Sequence, residues 1–201
     1  FSPSDVPGLY EAFFADQDKF KEIYERAERN TRLRKKTIKA STLFSAFMEE
    51  RKNTGRIYLM NVDHANDHSS FKADVAPVKQ SNLCCEITLP TKPLKSFEDP
   101  EGEIALCTLS AINWGLIRNP DDFEKPCALA VRGLDALLSY QNYPVEAARN
   151  STMKRRPLGI GIINLAYFLA KNNTTYSNPN LELVDQYAEA WSYYLIKASA
   201  D

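Results

Sequence analysis

Apolar residues fall at helical spacing from the start of the chain. Leu9, Phe13, Phe20, Ile23 and Tyr24 follow Ser4-Asp5-Val6-Pro7, and the pattern predicts a helix with Asp5 as its cap. A second helix is expected over 38–52. Ile38, Leu43, Phe44, Phe47 and Met48 form its stripe, and Asn53-Thr54-Gly55 supplies a common helix stop. Arg56–Met60 reads as a short strand. Residues 61–81 are polar and predict a long loop, functional or mobile. Ser81–Leu89 reads as extended, Pro90–Gly102 as a turn, and Glu103–Asn113, nearly continuously apolar, as a strand covered on both faces.

The alternation continues toward the C-terminus. Phe123, Cys127, Val131, Leu134 and Leu138 mark a helix near 121–140, and Arg156–Ile162, with Gly159 and Gly161, a buried strand. A short helix is expected at 163–172. The last helix, 181–199, carries Val184, Tyr187, Ala188, Trp191, Tyr194, Leu195 and Ala198 on one stripe. Strands alternating with helices predict parallel α/β architecture, doubly wound or barrel. The sequence shows no internal repeat, low-complexity tract or linker.

Composition narrows the function classes. The 201 residues can bury a sizeable core, and 25 Lys+Arg against 26 Asp+Glu leave a net charge of −1. A general nucleic-acid binder or a polybasic membrane-surface protein needs a positive excess that this chain lacks. No apolar run approaches the roughly 18 to 20 residues of a membrane span, so no membrane partner is expected. Four cysteines, two of them the adjacent Cys84 and Cys85, do not make a secreted disulfide scaffold, and reduced thiols in a cytoplasmic protein are the expectation. The chain opens at Phe1 without Met and runs straight into core-like sequence, as an excised piece of a longer protein would.

The chemistry concentrates in Gln80-Ser81-Asn82-Leu83-Cys84-Cys85-Glu86-Ile87-Thr88-Leu89-Pro90. On an extended chain Asn82, Cys84 and Glu86 project on one side, roughly 6 to 7 Å apart, and Leu83, Cys85 and Ile87 on the other. On a helix Cys84 would point away from Asn82 and Glu86. An amide, a thiol and a carboxylate on one face offer a hydrogen bonder, a nucleophile or radical carrier, and a general base. The plainer alternative makes Cys84 a small buried hydrophobe and Glu86 a strand-edge charge.

The strings SNLCCEITLPTKPL, GEIALCTLSAINWG, LAVRGLDALLSYQNYP and RRPLGIGIINLAYFLAK resemble the catalytic large (alpha) subunit of class I ribonucleotide reductase of the aerobic bacterial and phage type. The resemblance runs from FSPSDVPGLYEAFFADQ to YYLIKAS and covers the middle of a much longer protein. It implies part of a ten-stranded α/β barrel, with a finger loop that threads the centre and carries the radical cysteine. Residues 1–201 would then be one segment of the catalytic barrel domain, with 1–80 leading to the finger loop and 81–201 holding that loop and the following strand and helix units.

By the same resemblance Cys84 is the thiyl radical carrier, Glu86 the general base for the 3′-hydroxyl proton, and Asn82 a hydrogen bonder to the substrate hydroxyls, with Ser81 beside it in the substrate site. Cys107 matches one of two reducing thiols, its partner lying outside this chain. The implied reaction converts ribonucleoside diphosphates to deoxyribonucleoside diphosphates for DNA synthesis in an allosteric, nucleotide-binding enzyme. No cofactor or metal is expected in this segment. A metal-containing small (beta) subunit would supply the radical, thioredoxin or glutaredoxin the electrons by disulfide exchange, and the remaining large-subunit segments a homodimeric frame. The second reducing thiol, the allosteric and phosphate-binding loops, the tyrosine relay and the C-terminal cysteines have no counterpart in these residues. Because of this the chain alone is expected to be inactive, with a non-catalytic remnant that only assembles as the alternative.

Other features carry a plainer reading. Cys85 stands where the family has an aliphatic residue and is read as core filler, with a redox role as the lesser alternative. Cys127 is read as buried without function. Asp63-His64 and Asp67-His68 have no further ligand nearby, Tyr193-Tyr194 reads as packing, and Lys154-Arg155-Arg156 and Arg32–Lys36 as solvated surface.

Overall fold

The computed structural model describes residues 1–201 and divides into two compact units, Phe1–Thr91 and Lys92–Asp201. In the first unit the expected N-terminal helix is two. Helix α1 (Leu9–Ala15) ends and α2 (Gln17–Arg29) begins at the extended Asp16, whose Oδ1 accepts the Lys19 N–H at 2.9 Å. Asp5 is not the cap; it ends a 3-10 turn, Pro3–Asp5, and Gly8 starts α1 in the left-handed region at φ 81°, where a side chain would be strained. Val6, Leu9, Ala12, Ile23 and Ala27 bury the seam between the two helices.

Helix α3 (Ala40–Thr54) closes on Gly55 at φ 67°, as its sequence predicts. No residue of α3 is buried, and Leu43 and Phe44 are 59% and 61% exposed. An isolated helix of this length is marginal in water, so α3 is a helix with an unpartnered apolar stripe.

Two expectations for this unit fail. Arg56–Met60 and Ser81–Leu89 form no strand, and the first unit contains no sheet. A strand forms by pairing its backbone with a neighbour, and β-rich composition alone does not supply one. Within the polar stretch 61–81 a short helix, α4 (Val62–Asp67), presents Asn66. Its side-chain amide donates to the Val62 and Val78 carbonyls at 2.8 Å each, and its Oδ1 accepts the Val78 N–H at 2.8 Å. Val78 is fully buried. The segment entering residues 79–86 is therefore pinned, not loose.

The second unit is a βαβ arrangement. Strand β1 (Leu109–Asn113) pairs in parallel with β2 (Gly159–Ile163), in register from Leu109↔Gly159 to Asn113↔Ile163. Between them lie α5 (Glu124–Tyr140), entered through a 3-10 turn at Pro120–Phe123, and α6 (Glu146–Arg155), which the apolar pattern does not reveal. After β2 come α7 (Leu165–Lys171) and α8 (Leu181–Ala200). β1 is shorter than the expected Glu103–Asn113, because Glu103 pairs instead with Lys92 in an isolated antiparallel bridge.

The core gathers Ile112, Trp114, Ile117, Phe123, Cys127, Phe168, Leu169 and Tyr187. Trp114 meets Phe123 and Phe168 edge-on, with ring centroids at 5.5 and 5.4 Å. The sheet has two strands and is not a closed barrel. It leaves Leu109 and Ile163 63% and 52% exposed, and Ile112, Leu116, Leu129 and Leu134 line an open apolar groove beside β1 and α5.

Candidate functional site

Residues 82–86 form a tight turn, which corrects the expected alternating strand. The Cys85 N–H donates to the Asn82 carbonyl at 3.1 Å, closing a β-turn over Leu83 and Cys84, and Cys85 follows in the left-handed region at φ 66°. The Asn82 side chain braces the turn from inside. Its Nδ2 donates to Glu86 Oε1 at 2.6 Å, and its Oδ1 accepts the Ile87 N–H at 3.0 Å. Asn82 and Glu86, expected to share one face of an extended strand, instead touch each other across a turn.

Cys84 occupies the turn tip and is exposed. Leu83, expected on a packing face, is 87% exposed, because a turn projects its central side chains outward. Cys85 is half-buried. It accepts a hydrogen bond from Ser81 Oγ at 3.3 Å, and its own thiol points to the Leu59 carbonyl at 3.9 Å. A sulfur with a hydroxyl donor and a carbonyl acceptor is in a polar setting, so Cys85 is not simple core filler. Ser81, expected beside the substrate, spends its hydroxyl on Cys85 and on the Asn82 carbonyl at 3.1 Å.

Cys107 belongs to the second unit and is exposed. It stands two residues before β1 and not on a strand. What holds its segment is a feature the sequence reading passed over. Glu103 is buried, with Arg155 Nη2 at 2.6 Å on one oxygen and Lys154 Nζ at 2.7 Å on the other. Burial pushes the Glu103 carboxyl up, yet the hydrogen bonds and charges of Lys154 and Arg155 outweigh it and hold the group below its usual value. The neighbouring Ile104 N–H donates to the Ala147 carbonyl at 3.0 Å, tying the same segment to α6.

The basic run 154–156 is therefore solvated only in part: the Lys154 side chain is exposed, but its neighbours are engaged. Arg155 is 11% exposed, and Arg156, left-handed at φ 46°, pairs with Asp135 and also bonds its carbonyl and Ser139 Oγ. Partners 51 and 52 residues away in sequence leave no local signal, and only a carboxylate at the head of the apolar run Ile104–Ile112 could have hinted at Glu103.

The remaining features settle simply. Cys127 is buried on α5, and burial pushes its thiol up to about 11, which leaves it protonated and inert. Asp63, His64, Asp67 and His68 lie on and just after α4, and no group of three or more His, Cys, Asp or Glu is placed to hold a metal ion. Tyr194 packs against the second unit's core and donates its hydroxyl to Asp121 at 3.2 Å. No helix is long and apolar enough to cross a membrane.

Comparison with known proteins gives the site its context. The family profile described as "Ribonucleotide reductase, barrel domain" matches residues 1–201. The chain is 61% identical over 200 residues to the ribonucleoside-diphosphate reductase subunit alpha of Haemophilus influenzae. It is 58% identical over 200 residues to the reductase 1 subunit alpha of Escherichia coli, and 44% identical over 205 residues to the subunit alpha of enterobacteria phage T4. Each match covers 99% of this chain and 26% of the relative, so the chain spans about a quarter of the length of these relatives.

Proposed function

The chain belongs to the ribonucleotide reductase barrel-domain family, and from that premise we propose that it is a central segment of a class I reductase large subunit, carrying the radical and acid–base groups of ribonucleoside diphosphate reduction. The observation that supports this most directly is the 82–86 turn, which presents a thiol at its tip between an amide and a carboxylate already hydrogen-bonded to each other at 2.6 Å.

Each group has a task that suits it. As a sulfur radical, Cys84 removes the hydrogen atom from carbon 3′ of the ribose. Glu86 accepts the 3′-hydroxyl proton, which eases departure of the 2′-hydroxyl, and that group is protonated and leaves as water. Asn82 orients both Glu86 and the substrate hydroxyls. Cys107 and a second thiol outside this chain give up two electrons and two protons and end as a disulfide, after which Cys84 returns its hydrogen atom to carbon 3′. A sulfur radical requires a water-poor cavity, which a closed ten-stranded barrel with the 82–86 turn at the tip of its finger loop would provide.

The partners follow from the same reading. A metal-containing small subunit generates the radical, the rest of a homodimeric large subunit completes the barrel, and thioredoxin or glutaredoxin reduces the disulfide in a cytoplasm where Cys84, Cys85, Cys107 and Cys127 stay unbonded. Intact Asn82, Cys84, Glu86 and Cys107 favour turnover over an assembly-only remnant. The test is conversion of radiolabelled ribonucleoside diphosphate by the assembled enzyme carrying this segment. Deoxynucleotide formation that disappears in Cys84→Ser supports the proposal, and undiminished formation in that variant rejects it.

A further inference from the structure

Two cysteines are neighbours in the 82–86 turn, and the proposed reduction uses only one of them. We propose that Cys84 and Cys85 together are a reversible oxidation site, at which a hydroperoxide converts the exposed and sheltered thiols of the turn into a disulfide between neighbouring residues.

The turn divides the labour between the two sulfurs. Cys84 is the exposed thiol of the turn and, in the assembled enzyme, the one a small peroxide reaches by the route the proposed substrate must take, whereas Cys85 is half-buried and held by the Ser81 hydroxyl at 3.3 Å. Left-handed backbone at a non-glycine residue is costly, and Cys85 adopts it at φ 66° in a turn closed by its own N–H to Asn82. The result keeps the second thiol beside the tip in a polar setting. Neither of the other cysteines is so placed, since Cys127 is buried and Cys107 lies in the second unit with no adjacent thiol.

The chemistry balances with hydrogen peroxide as oxidant. The Cys84 thiolate attacks one peroxide oxygen, the O–O bond breaks, and Cys84 becomes a sulfenic acid while the departing hydroxide takes a proton to become water. The Cys85 sulfur then attacks the Cys84 sulfur, with the Ser81 hydroxyl placed to stabilise charge on the attacker. The S–O bond breaks, a second water leaves, and two thiols plus one peroxide have become one disulfide plus two waters.

Adjacency makes this bond temporary. Neighbouring Cα atoms are held about 3.8 Å apart by a trans peptide, short of the roughly 4.4 to 6.8 Å that disulfides prefer. A bond formed under that strain is easily reduced, so an external dithiol regenerates both thiols. While it lasts, Cys84 has no S–H hydrogen to exchange and is shielded from irreversible oxidation. The accompanying loss of turnover rests on the reading of Cys84 as radical carrier, but the covalent step does not.

The experiment exposes the assembled reductase to hydrogen peroxide, alkylates free thiols and digests with trypsin. The peptide Gln80–Lys95 contains Cys84 and Cys85 and no other cysteine. It is expected two hydrogens lighter than the dithiol form and unalkylated, and dithiothreitol should restore both thiols together with activity. In Cys85→Leu, and equally in Cys85→Ala, Cys84 should proceed to the sulfinic acid, which dithiothreitol does not reverse. A sulfinic acid on Cys84 of the unaltered protein, or a cross-link from this peptide to the one carrying Cys107, overturns the proposal. The lighter peptide with undiminished activity keeps the oxidation site and rejects Cys84 as the radical carrier.

Discussion

The side-chain amide of Asn82 donates a 2.6 Å hydrogen bond to the carboxylate of Glu86, across a turn whose tip is Cys84. One contact thus orients the proposed base and braces the loop that displays the proposed radical carrier. Losing the base and losing its orientation are separable. Glu86→Gln keeps a hydrogen-bonding partner for Asn82 but removes the proton acceptor, and deoxynucleotide formation is expected to fall by about 10² to 10⁴. Asn82→Ala leaves the base present but unbraced, and a smaller loss is expected. Steady-state turnover of both variants in the assembled enzyme is the check, and equal losses would show that Glu86 acts only through the turn.

The two cysteines at the tip should behave oppositely. Cys84→Ser is expected to abolish deoxynucleotide formation, because a serine O–H bond is too strong to carry the radical. Cys85→Leu is expected to retain most of it under reducing conditions, since Cys85 is neither the radical carrier nor the base in the proposed reaction and its side chain is only half-buried. A loss at Cys85 as deep as that at Cys84 would assign the wrong sulfur to the radical.

Cys107→Ser should separate initiation from reduction. The 3′ hydrogen is still removed, but the electrons for clean reduction are missing, so the nucleotide should break down with release of its base. Chromatography of the products distinguishes this from a simple block, and an ordinary deoxynucleotide yield would remove Cys107 from the reaction.

Asn66 makes three hydrogen bonds to the Val62 and Val78 backbone, and the segment it anchors leads into the turn. Asn66→Asp replaces two donors with acceptors facing carbonyl oxygens, at a cost of about 1 to 3 kcal/mol. Hydrogen exchange at the Val78 amide should quicken in this variant, and an unchanged rate would mean that other contacts hold the segment.

Glu103 predicts how stability depends on pH. Its folded-state carboxyl titrates below its usual value, despite the opposing effect of burial, because Lys154 and Arg155 favour the charged form. The stabilisation is therefore present above the ordinary carboxylate range and is lost as pH falls through the lowered folded value. Glu103→Gln leaves the largely covered Arg155 without its counter-charge, and a loss of about 1 to 3 kcal/mol is expected at neutral pH. Thermal melts across the acid range should show the variant with a flatter pH response than the parent.

Much of the helical fold was legible in the sequence because a helix satisfies its own backbone. The stripes of α3, α5 and α8 and the stop at Gly55 depend on residues three or four apart, and these helices, with the short α7, appear within a few residues of where they were expected. Asn82, Cys84 and Glu86 were also picked out, by residue type and alternate spacing together with the family resemblance. What joined them was not legible. Alternation called for a strand, whereas the tertiary structure made a turn, because residues 81–89 found no strand to pair with and the Asn82 side chain could bond the backbone locally. Strands, unlike helices, exist only by pairing across long sequence distances, which is why two of the four expected segments failed and why β1 begins at Leu109, with Glu103 drawn instead to Lys92 and the α6 cations. The ion pairs of Glu103 and the anchoring by Asn66 belong to the same class: contacts between residues far apart in the chain, decided by packing, with no periodic trace in the sequence.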